Sequence, residues 1–238
     1  MKRMFLVSLS VVLVLSIASF MAQAEPTLQS GTSVSLVQAS DDATAMTKDI
    51  QFLMKAWAHI KYEIRDKDEQ EKQMGGLMSK AATVTKMYHE HAEPYIWQAI
   101  ITSTQAGISG GLGALGLAEE AKKLLEHAEA INPQALDGAI YTSLGALYYQ
   151  VPGWPIGFGD DEKARTYLER ARTMDPNAID SNYFYGEFLI DQGEYAKAIM
   201  VLEHALAAPD RPNRQTADAG RRAEIRQSIA TAKKKLGA

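Results

Sequence analysis

Three stretches of this chain carry the same small residues at the same intervals, and that recurrence restricts the fold more than any single motif. In the last stretch, Asp180 to Pro209, Gly186 stands three residues before Leu189. Gly193-Glu194-Tyr195 then makes a turn, and Ala198, Leu202 and Ala205 mark a second segment. The middle stretch has Tyr141, Leu144, Gly145 and Tyr148, followed by Ala164, Leu168, Ala171 and Pro176. The first has Trp97, Ile100 and Thr104, followed by Ala121, Leu125, Ala128 and Pro133. Intervals of three and four residues place these side chains on one face of a helix. Small residues at Gly186, Ala198 and Ala205 let two antiparallel helices approach closely, while Tyr185, Leu189 and Leu202 fill the space between them. The spacing predicts three helical hairpins, at 93–135, 136–178 and 179–210.

The units differ in their turns. Tyr148 and Ala164 are 16 residues apart, whereas the matching Leu189 and Ala198 are 9 apart, so the segment from Val151 to Gly159 is an insertion. The first unit's turn, through Gly107 to Gly116, reads as stretched in the same way. A helix pair at 43–92 precedes the units, with one stripe through Met46, Ile50, Leu53, Trp57 and Ile60. A second stripe runs through Leu77, Ala81 and Val84, its start loosened by Gly75-Gly76. Pro94 opens the next helix. A polar helix at about 215–235, inside a basic segment 211–238, fits a solvating cap over the last repeat's apolar face.

The third unit, with Gly186, Leu189, the Gly193-Glu194-Tyr195 turn, Ala198, Leu202, Ala205 and Pro209, resembles the tetratricopeptide repeat without insertion. The resemblance implies an all-α, right-handed α-solenoid of antiparallel helix pairs, about three such units between the N-terminal pair and the C-terminal capping helix. More narrowly, Pro152-Gly153, Gly159-Asp160, Lys163-Ala164 and Arg170-Ala171 resemble the divergent repeats of the T-component of tripartite periplasmic (TRAP-type) transporters, over residues 95–210. That likeness implies a periplasmic partner of solute-binding proteins, with a second copy of the chain as a further candidate partner. Unlike those proteins, the chain has no cysteine for lipid attachment.

The N-terminus reads as an export signal. Lys2 and Arg3 precede an apolar run from Phe5 to Phe20, and Ala22-Gln23-Ala24 offers a small-x-small cleavage pattern. Cleavage after Ala24 is expected, giving a periplasmic product with no stable membrane insertion. Residues 25–42, rich in Ser, Thr, Gln and Gly, read as a flexible leader. Loss of Lys2 and Arg3 takes the net charge from −4 to −6. The tail from 211 carries eight basic side chains against Asp218 and Glu224, which leaves residues 25–210 near −12. So acidic a body excludes nucleic acid as a partner, because phosphate contacts dominate that affinity.

Catalytic and metal motifs do not assemble. Gly111, Gly113 and Gly116 spell GxGxxG, but phosphate binding needs a preceding strand, and a helix stands there. The glycines read instead as a turn doubling back closely on a neighbouring helix. His89 and His91, two apart on a helix, do not converge on one ion. No cofactor, metal or catalytic residue is expected.

Binding is the function left. In such an array the first helix of each unit lines the concave face, here Gln98, Thr102, Gln105, Thr142, Ala146, Tyr149, Tyr183, Glu187 and Asp191, a surface without lysines. Trp154, Ile156 and Phe158 place large apolar groups in the 151–161 insertion. They either fold back to cap the repeat core or contact a partner. The expected binding residues are Tyr149, Trp154, Phe158, Gln98, Thr102, Tyr183 and Glu187, engaging a protein or peptide partner. The second reading is a small apolar ligand held in a pocket that the loops close.

Overall fold

The computed structural model describes residues 30–237, with side chains described from residue 41 onward except at residue 112, and holds nine α-helices over that range. They are α1 (Ser30–Glu63), α2 (Lys67–Met87), α3 (Ala92–Ser109), α4 (Gly111–Ile131), α5 (Ala139–Gln150), α6 (Asp161–Met174), α7 (Ile179–Asp191), α8 (Tyr195–Leu206) and α9 (Gln215–Leu236). The expected signal segment, 1–24, and residues 25–29 lie outside the described residues.

Local chemistry explains where these helices start. The Asp66 carboxylate accepts a hydrogen bond from the Glu69 backbone N–H at 2.8 Å and caps α2. The Gln70 side chain reaches back to the carbonyls of Ile60 and Lys61 at the end of α1. Asp160 accepts from the N–H groups of Glu162 and Lys163 and caps α6, and those bonds hold its carboxyl below the usual range.

The recurring small residues pack as their spacing demands. Ala121, Ala128, Ala164, Ala171, Ala198 and Ala205 are completely buried, together with Leu125, Leu168 and Leu202. A methyl added at Gly145 would come 2.5 Å from Leu168 Cγ, and one at Gly186 2.5 Å from Leu202 Cγ. Each glycine therefore receives the leucine of its partner helix, which fixes the hairpin's closeness. The result is an all-α solenoid of helix pairs in which α3/α4, α5/α6 and α7/α8 are hairpins of one kind. Ala198→Leu should overpack this contact and cost about 1–3 kcal/mol, read as a lower urea midpoint at unchanged slope.

Three expectations change. The stretch Gly107–Gly116 is not an extended turn. Helix α3 continues to Ser109 and α4 begins at Gly111, so the additional residues lengthen both helices. Gly110 and Gly111, at φ +60° and +66°, reverse the chain between them. The alanines and leucines that follow propagate a helix readily. Gly113 and Gly116 meet nothing within 4 Å, so close approach is not their role. Second, α1 starts at Ser30, inside the segment 25–42 expected to be a flexible leader. Nucleation is the costly step of a helix, and extending an existing one adds a hydrogen bond per residue. Third, α2 begins at the Asp66 cap rather than after Gly75-Gly76, which lie within it.

Among the described residues, no helix is long and apolar enough to cross a membrane.

Candidate functional site

The last helix returns to the first, and this closure creates the site. Gly220 of α9 lies so flat against α1 that a methyl there would collide with the Tyr62 ring. The Tyr62 hydroxyl donates to Glu224 at 3.1 Å, Lys61 pairs with Glu224 at 3.2 Å, and Thr216 donates to Glu63 at 3.1 Å. Helix α1 is tied in turn to α3, where Trp57 Nε1 donates to Thr104 Oγ1 at 2.9 Å and packs edge-on to Trp97. The concave side of the hairpins, α1 and the segment from Arg211 to Arg221 thereby line a half-open cavity of about 920 Å³.

One wall is apolar. Trp57, Trp97, Ile100, Ala146, Leu147 and Ile156 face the cavity from α1, α3, α5 and the loop after α5. The adjoining part of the lining is ionic. Asp180, at the start of α7, accepts from Arg211 and Arg221 at 2.8 Å each. Arg221 also donates to Glu224 at 2.6 Å, and Arg211 donates to Asp218. Burial alone would raise the Asp180 pKa, but the guanidiniums of Arg221, Arg211 and Arg214 outweigh it and hold the carboxyl far below the usual range. The Arg221 guanidinium also lies 4.2 Å from the centre of the Tyr183 ring. Burial lowers the pKa of Lys61, with Arg221 pushing the same way and Glu224 opposing.

The expected binding residues divide. Tyr183 lines the cavity, whereas Gln98 and Thr102 are buried within the helix packing. On α3 the cavity is faced by Ile100, Ser103, Thr104 and Gly107, so the exposed face is turned from the one inferred by alignment. Thr142 and Ala146 do line it. Tyr149 packs edge-on against Phe188, and burial raises its pKa against the hydrogen bond that its hydroxyl accepts from the Gln150 side chain. Burial also raises the pKa of Glu187, which does not line the cavity. Phe158 folds back onto Tyr148 at 5.5 Å with Lys122 over its ring, which is the capping role. Trp154 does the opposite and is 90% exposed, with Ile156 beside it at 68%.

Lys61, Arg211, Arg214 and Arg221 are residues that sequence reasoning did not nominate. The concave face looked free of cations because they come from α1 and the α8–α9 region rather than from the repeats. The cluster of basic residues after 210 was visible in the sequence. Its place in the groove was not. No group of three or more metal-ligating side chains occurs among the described residues.

Residues 156–218 match the family model described as tetratricopeptide repeat. No curated protein sequence matches the chain. Among solved structures, a thermophilic TPR protein of Thermus thermophilus is similar at 22% identity and a TM-score of 0.48, covering 69% of this chain and 84% of its own. MamA is similar at 18% identity and a TM-score of 0.40, over 72% of this chain and 94% of its own. PilF of Pseudomonas aeruginosa is similar at 14% identity and a TM-score of 0.34, over 81% and 90%. The matched segment covers the end of the inserted loop, α6, the α7/α8 hairpin and the start of α9. Residues 156–218 are thus similar to the tetratricopeptide repeat, and buried alanines and leucines recur at matching positions in all three hairpins.

Proposed function

We propose that the chain is a periplasmic, non-catalytic binding scaffold whose protein partner docks where the 151–160 loop meets the concave cavity. The observation that carries this reading is Trp154, 90% exposed on a loop that repeat packing does not require. A large exposed aromatic side chain, two residues from Ile156, which lines the cavity, is the kind of anchor that dominates protein interfaces. The periplasmic setting is supported by the Lys2-Arg3 start, the apolar run after it and Ala22-Gln23-Ala24. A role beside a solute transporter draws on the resemblance of residues 95–210 to the T-component repeats alone.

Trp154→Ala should leave the melting curve within about 0.5 kcal/mol of wild type, since the side chain touches little. A crosslinked pull-down from periplasm should recover a protein with wild type and lose it with Trp154→Ala. Equal recovery from both would show that the loop is not the contact.

A second reading, a small-ligand carrier, is favoured by the closure of α9 onto α1. A volume of about 920 Å³ sits within the range of small-molecule sites, ~300–1,000 Å³. A carrier should release a bound small molecule in native mass spectrometry, and a partner-binding scaffold should not.

A further inference from the structure

The cationic end of the cavity contains one arginine that the protein leaves underused. Arg211 and Arg221 are saturated by Asp180, Asp218 and Glu224. Arg214 is not. Its side chain is only 19% exposed, yet its guanidinium makes no hydrogen bond among the described residues. The nearest carboxylate oxygen is that of Asp180, at 4.0 Å, and the same oxygen is already bonded by Arg211 at 2.8 Å. Arg214 lies 5.5 Å from the centre of the Trp97 ring, which holds it at the junction of the ionic end and the apolar wall. Burial weakens its hold on its proton, which is the electrostatic sign of a cation short of a counter-ion.

We infer that Arg214 receives the carboxylate of a small amphipathic acid whose apolar body lies along Trp97, Ile100 and Ala146. This rests on the carrier reading of the cavity and names its ligand class. A planar guanidinium offers paired N–H donors that match a carboxylate in two parallel bonds. The ligand carries a single negative charge because the remaining cations are already paired. Asp137 and Asp175, which line the same cavity without an ion pair to these cations, would repel a second charge. The body is apolar because indole and aliphatic side chains make up the wall beyond Arg214.

The test is calorimetric titration of the whole folded chain with decanoate and with decanol, which share a tail and differ in the charged head. Wild type should bind decanoate at least about tenfold more tightly than decanol, and Arg214→Gln should remove that preference while leaving decanol binding as it was. Arg214→Lys, which keeps charge and loses the fork, should fall between them. Equal affinity of wild type for both probes, or a preference unchanged in Arg214→Gln, would overturn the carboxylate assignment and leave the carrier reading in place. Absence of binding by either probe would overturn both. A peptide with a free carboxyl terminus that binds where decanoate does not would also overturn it, and transfer the site to a protein ligand. The wild-type comparison of the two probes decides the matter even where a variant folds poorly.

Discussion

Asp180→Asn should lower the stability of the folded chain by about 3 kcal/mol, the low end of what removing one partner of a buried ion pair costs. The carboxylate is the shared acceptor of Arg211 and Arg221, and Arg221 is only 5% exposed at its side chain. A neutral amide keeps the shape but leaves three guanidiniums close together without their central counter-charge. The low end is chosen because the Asp180 side chain keeps 28% of its exposure, so solvent screens part of the loss. Equilibrium urea unfolding of the two proteins at pH 7 measures the difference. The pH dependence follows from the same carboxyl. Unfolded, it titrates near ~3.9, and in the folded chain well below that. Its contribution is complete above the unfolded value and is lost as pH falls from there through the folded one, because only the unfolded chain then takes up the proton. Between pH 5 and pH 3 the wild type should therefore lose stability more steeply than Asp180→Asn. Parallel losses would mean that the arginines do not depend on Asp180.

Two glycine-to-alanine substitutions should have opposite signs. At Gly145 the new methyl would meet Leu168 Cγ at 2.5 Å and Cδ2 at 2.9 Å, with the Ala164 carbonyl oxygen at 3.2 Å. Leu168 is completely buried between helices and has no solvent to move into. Overpacking should cost about 1–3 kcal/mol, more than the helix propensity that alanine adds. Gly76 lies within α2, exposed, with nothing within 4 Å of the position a methyl would take. There the propensity term acts alone, and Gly76→Ala should stabilise by about 0.5–1 kcal/mol. Thermal denaturation of both variants against wild type would show it. A neutral Gly145→Ala would mean that the α5/α6 hairpin is looser than its packing indicates.

The hairpins were legible because a tetratricopeptide-type unit is built from contacts local in sequence. Gly145 and Leu168, or Gly186 and Leu202, meet within one unit, so their spacing already describes their packing. The Val151–Gly159 insertion was legible for the same reason, since it breaks an otherwise constant interval. The Gly107–Gly116 stretch misled because glycine counts as punctuation in a sequence, while two positive-φ residues suffice for the reversal there. Trp154 and Phe158 could not be told apart in advance. Both are aromatic residues of one loop, and only the position of Tyr148 decides that Phe158 folds inward and Trp154 does not.

The sequence by itself determined an all-α chain of nested hairpins, because small and large residues at helical intervals admit few other arrangements. It also determined an acidic body with a basic end. Only the tertiary structure decided that this basic end closes the groove, since the contact joins Tyr62 to Glu224 across the whole array. No periodicity records an encounter between elements so far apart. It is that encounter which brings Lys61 and Arg221 together at the cavity and sets Arg214 beside Trp97.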